Sequence, residues 1–124
     1  MAVHMRYMAE RGIFDALRSW AEHSSDDSRI RIFRFEDLVG SDQFRWVTEL
    51  MEHCDVAIPE SHLKAVLDRL SFARLSGGRK PGEENKHHKY RSGKAGDWKK
   101  YFDDALQAEF REVAGDLCDV LGYE

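Results

Sequence analysis

Apolar residues recur every three or four positions through most of this chain, which is the spacing of one face of an α-helix. The stripes are Phe14, Leu17, Trp20 and Ala21; Phe44, Val47, Leu50, Met51 and Cys54; Leu63, Val66, Leu67 and Leu70; and Leu106, Phe110, Val113, Leu117 and Leu121. They predict helices over 13–23, from Ser41 or Asp42 onward, after Pro59, and from Asp103 to about Leu121 with Gly122 as its stop. The chain is therefore expected to be mostly α-helical.

Only the segment from Arg29 to Phe35 has the composition of a β-strand. A strand must pair its backbone donors and acceptors, and the rest of the sequence offers no second clear strand. Its neighbours are therefore expected from another part of a longer protein or from another copy of the chain. In the second case, self-association would involve the apolar side chains Ile30, Ile32, Phe33 and Phe35.

Charge indicates the kind of ligand. The 124 residues are enough for one domain, and 19 Lys and Arg against 23 Asp and Glu give a net charge of −4. This balance argues against a nucleic-acid-binding surface as the main function. The cations are nevertheless concentrated in one stretch, namely Arg79, Lys80, Lys86, Lys89, Arg91, Lys94, Lys99 and Lys100. An acidic protein with one basic segment suits a small anionic ligand.

Other features favour a cytoplasmic protein without a metal or a membrane partner. Cys54 and Cys118 are far apart and belong to no zinc-type pattern, so two free thiols in a reducing compartment are expected. No apolar run reaches the length of a transmembrane helix, and the start does not have the pattern of a signal peptide. His87 and His88 are adjacent and without a third ligand, which favours exposure to solvent over zinc binding.

Residues 73–96 contain five glycines and one proline without periodicity, which predicts a long and functional loop. Gly93 and Gly96 can adopt positive φ and let backbone N–H groups approach an anion, while Arg91 offers a planar set of donors suited to phosphate. Asp97 can then cap a short turn in which Trp98 and Phe102 share a face. The loop is thus a candidate phosphate-binding loop, and the alternative is a solvated turn with incidental charge. The end of this loop and the turn after it have the sequence Arg91-Ser92-Gly93-Lys94-Ala95-Gly96-Asp97-Trp98-Lys99.

This run resembles the C-terminal signature of the cytosolic-type sulfotransferases, whose sulfuryl donor is 3′-phosphoadenosine 5′-phosphosulfate. In that family an Arg-Lys-Gly triplet, followed by Gly-Asp-Trp-Lys-Asn and a Phe, binds the 3′-phosphate of the donor. Ser92 stands in place of the family's Lys, and Lys100 in place of its Asn. The residues in register with the signature are Arg91, Gly93, Gly96, Asp97, Trp98, Lys99 and Phe102.

Two shorter matches occur upstream in the same order as in the family. The run from Arg34 to Leu38 is similar to the family's strand-end Tyr-Glu-Asp-Leu, and the run from Leu70 to Phe72 is similar to its Thr-Ser-Phe. The resemblance implies that Phe35, Ser71 and Phe72 border the adenine. Core packing is the ordinary role of such phenylalanines, and it is compatible with a contact to the base.

The resemblance implies an α/β fold, the P-loop-like sulfotransferase fold, of which residues 1–124 would be the C-terminal portion of a single domain. The family's Gly/Ser/Thr-rich phosphosulfate loop and its catalytic His have no counterpart in this sequence. The chain is therefore expected to be the donor-binding half of a sulfotransferase acting on a hydroxyl or amine acceptor, and to be inactive alone. The product, adenosine 3′,5′-bisphosphate, would bind the same residues.

Two other functions are compatible with the residues. The chain could be a non-catalytic helical module that binds a nucleotide or a protein. It could also be a fragment of a different nucleotide-dependent enzyme, which the lack of a Walker-type G-x-x-x-x-G-K-[ST] motif disfavours.

Overall fold

The structure, a computed structural model, describes residues 1–123 and is helical. These residues form two compact units, one made of 1–32 together with the chain from 98 onward, the other of 33–97. The helices are α1 (Ala2–Glu10), α2 (Ile13–His23), α3 (Phe35–Val39), α4 (Gln43–His53), α5 (Glu60–Arg69), α6 (Phe72–Leu75), a 3₁₀ turn (Asp97–Lys100), α7 (Asp104–Ala114) and α8 (Leu117–Val120).

The core of the first unit lies where α2 meets α7 and α8. Phe14, Ala114 and Leu117 are buried together there. The ring of Phe14 meets the ring of Phe110 edge to face, with centroids 5.6 Å apart. Partly buried side chains surround them, namely Met8, Ala9, Phe110, Val113 and Leu121. The C-terminal apolar stripe therefore supplies much of this core, but of the stripe predicted for α2 only Phe14 belongs to it, since Leu17 and Trp20 are exposed.

Two arginines link the helices of the first unit. Arg18 on α2 donates from Nη2 to the carbonyl oxygen of Ala114 at 2.9 Å and forms an ion pair with Asp116. Because Ala114 is the last residue of α7, the guanidinium satisfies a helix-end carbonyl and adds positive charge at the negative end of the helix dipole. Arg6 on α1 pairs with Glu109 on α7 at 2.5 Å. The hydrogen bond that Arg6 donates to the Glu109 carboxylate raises the pKa of Arg6.

The predicted C-terminal helix is divided in two by Gly115. This residue has φ 60° and ψ −132°, which interrupts the helix between Ala114 and Leu117. The positive φ favours glycine because it has no Cβ. The other helix predictions agree well with the structure: α2 has the predicted bounds, α4 follows Asp42, and α5 follows Pro59. Gly122 ends α8 with a positive φ, as predicted.

In the second unit, α4 packs against α3 and α5. The side-chain amide of Gln43 donates to the carbonyl oxygen of Leu38 at 2.8 Å and joins the start of α4 to α3. Leu63 on α5 is buried. An open, mostly apolar groove of about 580 Å³ runs between α4 and α5, and its lining includes Phe44, Met51, Ile58 and Leu63.

The β-strand predicted from Arg29 to Phe35 is wrong, and with it the expected α/β fold class. The described residues contain no strand, residues 30–34 have no regular secondary structure, and Phe35 begins α3. The α3 turn forms because Leu38 N–H donates to the Arg34 carbonyl at 3.2 Å, while the Arg34 side chain pairs with Asp37 at 3.0 Å. An apolar run becomes a strand only when it pairs with a neighbour, and the described residues provide none.

The side chains on which the strand prediction rested are partly exposed. Ile32 is 39% exposed and Phe35 is 58% exposed. Self-association through this segment stays a prediction. Cys54 and Cys118 are both free and exposed. Among residues 1–123, no helix is both long enough and apolar enough to cross a bilayer.

A capping variant tests the folding of the first unit. The carboxylate of Asp103 accepts a hydrogen bond from Leu106 N–H at 2.9 Å and caps α7. Asp103→Ala is expected to lower the free energy of unfolding by about 1 kcal/mol, because a helix-end donor loses its partner. Urea denaturation followed by circular dichroism measures the change. Asp103→Asn keeps a capping oxygen and is the matched control, so an equal loss in both variants would contradict a capping role.

Candidate functional site

The loop after α6 is organised around the guanidinium of Arg79. Arg79 Nη2 donates to the carbonyl oxygen of Tyr90 at 2.5 Å, and Nη1 donates to those of Glu83 at 2.7 Å and Arg91 at 2.9 Å. Its Nε makes a longer contact, 3.4 Å, with the carbonyl oxygen of Ser76. One side chain therefore donates to carbonyl groups from two separate parts of the loop.

Backbone hydrogen bonds join the same two parts of the loop. Gly82 N–H donates to the carbonyl oxygen of Ser92 at 2.8 Å, and Asn85 N–H donates to that of Arg91 at 2.9 Å. These bonds and those of Arg79 fix the chain on either side of Ser92. Residues 91–96, the part of the motif before the turn, are thus held in a defined conformation although they form no helix or strand.

Gly93 is pressed against the ring of Phe72. It has φ 63°, and a Cβ at this position would lie 2.1 Å from Phe72 Cδ2. The guanidinium carbon of Arg79 lies 5.2 Å from the centre of the same ring, which is a cation–π distance. The structure thus brings together two of the predicted site residues, Phe72 and Gly93, and explains why position 93 is glycine: the space of a side chain is filled by the ring.

Arg91 lies between two carboxylates. Its Nε is 3.4 Å from Glu84 Oε1, and its Nη2 is 3.5 Å from Asp97 Oδ2. Both distances exceed the roughly 2.7–2.9 Å of a strong charge-assisted bond. The Arg91 side chain is 45% exposed, whereas Asp97 is largely buried. The guanidinium is therefore oriented by the protein and still accessible from solvent.

Ser92 is buried, with 5% of its surface exposed, and its hydroxyl has no hydrogen-bond partner among the described residues. The backbone N–H groups of Ser92 and Gly93 likewise donate to no residue that the structure describes. Buried polar groups are usually hydrogen-bonded, and the cost of leaving one unpaired is about 1–3 kcal/mol. This part of the loop therefore contains polar groups that no described residue pairs with.

The short turn predicted after the loop is present, with Asp97 as its first residue, whereas capping by Asp97 stays a prediction. A 3₁₀ turn runs over Asp97–Lys100, and Phe102 N–H donates to the carbonyl oxygen of Trp98 at 2.9 Å. The rings of Trp98 and Phe102 meet edge to face at 6.0 Å, and Phe102 also meets Phe110 on α7 at 6.4 Å. Trp98 and Phe102, which belong to the first unit, thereby pack towards α7.

The remaining predicted site residues lie on short helices. Ser71 is the N-cap of α6, directly before Phe72, and makes no side-chain capping bond. Phe35 is the first residue of α3. Roles for Ser71 and Phe35 in binding stay predictions. The contributions of Arg79 and Glu84 were missed by sequence reasoning, because Arg79 read only as one of several clustered cations and Glu84 as an ordinary acidic residue.

Nothing in the described part of the chain forms a group of three or more His, Cys, Asp or Glu side chains suited to a metal ion. His88, which was expected to be exposed, is half-buried, and its Nδ1 accepts a hydrogen bond from Tyr90 N–H at 3.1 Å. It therefore contributes to the local structure of the loop.

Comparison with known families gives one match. The family model described as the sulfotransferase domain matches residues 8–121, which is most of the chain and includes the whole loop with Arg79 and Arg91. No curated protein and no solved structure matches the chain.

Substitution of two glycines tests the contact between Phe72 and the loop. Gly96 also has a positive φ, 83°, but nothing lies within 4 Å of the Cβ position there. Gly96→Ala is therefore expected to lower the free energy of unfolding by about 1–2 kcal/mol, from backbone strain alone. Gly93→Ala adds a clash with Phe72 and is expected to cost about 1–3 kcal/mol more. Urea denaturation measures both variants, and equal losses would show that the ring moves aside freely.

Proposed function

This chain belongs to the sulfotransferase family, and on that premise we propose that the loop after α6, in which Arg79 bonds to several carbonyls, binds the nucleotide of 3′-phosphoadenosine 5′-phosphosulfate. The family match supports transfer of a sulfuryl group as the reaction. In the proposal, Arg91, Ser92 and Gly93 bind the 3′-phosphate, while Phe35, Ser71 and Phe72 border the adenine. The acceptor would carry a hydroxyl or amine.

The observation that carries the proposal is the packing of Phe72 on Gly93. These residues are far apart in sequence, and the proposal assigns one to the base and the other to the phosphate. Their contact is what a ligand with both groups would require of its binding site. The planar ring offers an apolar surface to a purine, and the Gly93 N–H, which donates to no described residue, offers a donor to an anion.

The geometry of Arg91 supports a phosphate contact. The carboxylates of Glu84 and Asp97 hold the guanidinium at 3.4–3.5 Å, which is a loose arrangement for ion pairs. A phosphate can replace part of this arrangement with shorter, bidentate hydrogen bonds. Asp97 then keeps the role of orienting Arg91.

The unpaired donors of Ser92 and Gly93 support the same assignment. A phosphate oxygen would provide an acceptor for the Ser92 hydroxyl and for the neighbouring N–H groups. Successive backbone N–H groups of this kind form an anion-binding concavity. Because the Ser92 oxygen is buried, its contact with a ligand requires a small local movement of the loop.

In this proposal the loop contributes binding and orientation to the reaction. The 3′-phosphate is remote from the sulfuryl group that is transferred, so its binding energy serves to position the donor and to distinguish it from adenosine 5′-phosphates. Transfer itself needs a base to take the proton of the acceptor and cations to stabilise the leaving phosphate. None of the predicted site residues is assigned either role.

Removal of Arg91 tests the proposed phosphate contact. Arg91→Ala is expected to weaken binding of adenosine 3′,5′-bisphosphate by roughly tenfold or more, because a charge-assisted bond contributes about 1.5–3 kcal/mol. Binding of adenosine 5′-phosphate should change little. Isothermal titration calorimetry measures both ligands, and Lys94→Ala is the control for loss of a nearby charge. Equal affinity of the unmodified chain for the two ligands would contradict the assignment.

The 124-residue chain alone is expected to bind the nucleotide without catalysing transfer, because its sequence contains no recognisable phosphosulfate loop or catalytic His. An assay with radiolabelled donor and a panel of phenol and amine acceptors tests this. Donor-dependent sulfation by the pure chain, if abolished by Arg91→Ala, would prove the expectation wrong.

A further inference from the structure

We propose that Arg79 is a positioning residue that couples the base-binding and phosphate-binding parts of the nucleotide site. This inference rests on the proposed function. Arg79 is the one side chain described as bonding both to the carbonyls of Tyr90 and Arg91 and to the ring of Phe72. It acts through these groups and does not itself contact the ligand.

The hydrogen bonds of Arg79 set the direction of the N–H groups near the phosphate. In a trans peptide unit the C=O and the N–H of the next residue point in opposite directions, and the described chain has no cis peptide bond. When Arg79 holds the carbonyls of Tyr90 and Arg91, the N–H groups of Arg91 and Ser92 point away from the guanidinium. Of the proposed donors, the Ser92 N–H is therefore set by Arg79, whereas the Gly93 N–H is set by the bond that the Ser92 carbonyl accepts from Gly82 N–H.

The same guanidinium restrains the proposed base-binding surface. It lies 5.2 Å from the centre of the Phe72 ring, and that ring contacts Gly93. Any movement of Arg79 therefore disturbs both the ring and the peptide planes before Gly93. The two parts of the site share one support, although they come from distant positions in the sequence.

Lysine cannot replace arginine in this position. The observed contacts use three nitrogens of one planar group, directed at carbonyl oxygens of Ser76, Glu83, Tyr90 and Arg91. An ammonium group has the same charge, but it has a single nitrogen and no planar face to stack on Phe72. Arg79→Lys thus removes the geometry while it keeps the charge, which separates positioning from simple electrostatic attraction.

The test is isothermal titration calorimetry of the full chain with adenosine 3′,5′-bisphosphate and adenosine 5′-phosphate. Arg79→Lys is expected to lower the affinity for both ligands, and to lower the affinity for the bisphosphate about tenfold more than that for the 5′-phosphate. This pattern differs from that of Arg91→Ala, which affects the bisphosphate alone. Lys80→Ala is the matched control because it removes a neighbouring cation and none of the carbonyl contacts, and it should change neither affinity by more than about twofold.

Amide exchange measured by NMR provides a second readout. In Arg79→Lys the N–H groups of Gly82 and Asn85, which bond to Ser92 and Arg91, should exchange faster, while the amides of α4 and α5 keep their protection. If Arg79→Lys does not fold, Arg79→Gln is measured instead, because its planar amide keeps part of the donor set. Failure of both variants to fold would overturn the proposal, since Arg79 would then stabilise the whole unit.

The remaining outcomes are equally decisive. Unchanged affinities in Arg79→Lys, or equal losses in Arg79→Lys and Lys80→Ala, overturn the positioning role and leave the proposed function intact. A loss of affinity for the bisphosphate alone would also overturn it, because the base-binding part would then be independent of Arg79. If the unmodified chain does not prefer the bisphosphate to the 5′-phosphate, the proposed function itself fails.

Discussion

The conformation of the candidate site in the second unit depends on hydrogen bonds to the backbone carbonyls of a long segment that has neither helix nor strand. Residues 76–96 have individual backbone hydrogen bonds, among them those from Gly82 to Ser92 and from Asn85 to Arg91, but no regular ladder that would pair the remaining carbonyls. Arg79 supplies the partners for Ser76, Glu83, Tyr90 and Arg91. These hydrogen bonds, together with the backbone bonds to Ser92 and Arg91, support the conformation of the motif and the contact of Gly93 with Phe72, while Glu84 and Asp97 orient Arg91.

The helices could be predicted because the residues that determine them are close to one another in the sequence. The spacing of apolar residues in α2, the proline before α5 and the glycine after α8 each determine a boundary through nearby atoms. The strand could not be predicted in the same way. The apolar residues near Phe35 satisfy a strand pattern, but a strand also needs a partner, and the local Arg34–Asp37 pair favours a helical turn instead. The break at Gly115 was missed because the apolar stripe continues across it.

In the candidate site, too, the features set by neighbouring residues could be predicted and the contacts between distant residues could not. The residues of the motif were found from their types and spacing, since glycine and arginine have distinctive chemistry. The contact of Phe72 with Gly93 and the bonds of Arg79 join positions that are distant in the sequence. Such contacts cannot be predicted from a single sequence by residue type and spacing. The sequence does not mark Arg79 out from the other clustered cations, because the carbonyls that Arg79 reaches come near it only in the folded chain.

The pair of carboxylates around Arg91 has a consequence for the anions that this loop can accept. Glu84 and Asp97 already neutralise the Arg91 guanidinium, so a small ion such as chloride gains little from Arg91 itself. Under the proposed function, an anion must bring additional contacts of its own to compete with these internal carboxylates. The proposed site would then disfavour abundant simple salts and discriminate by the size and shape of the group that carries the charge.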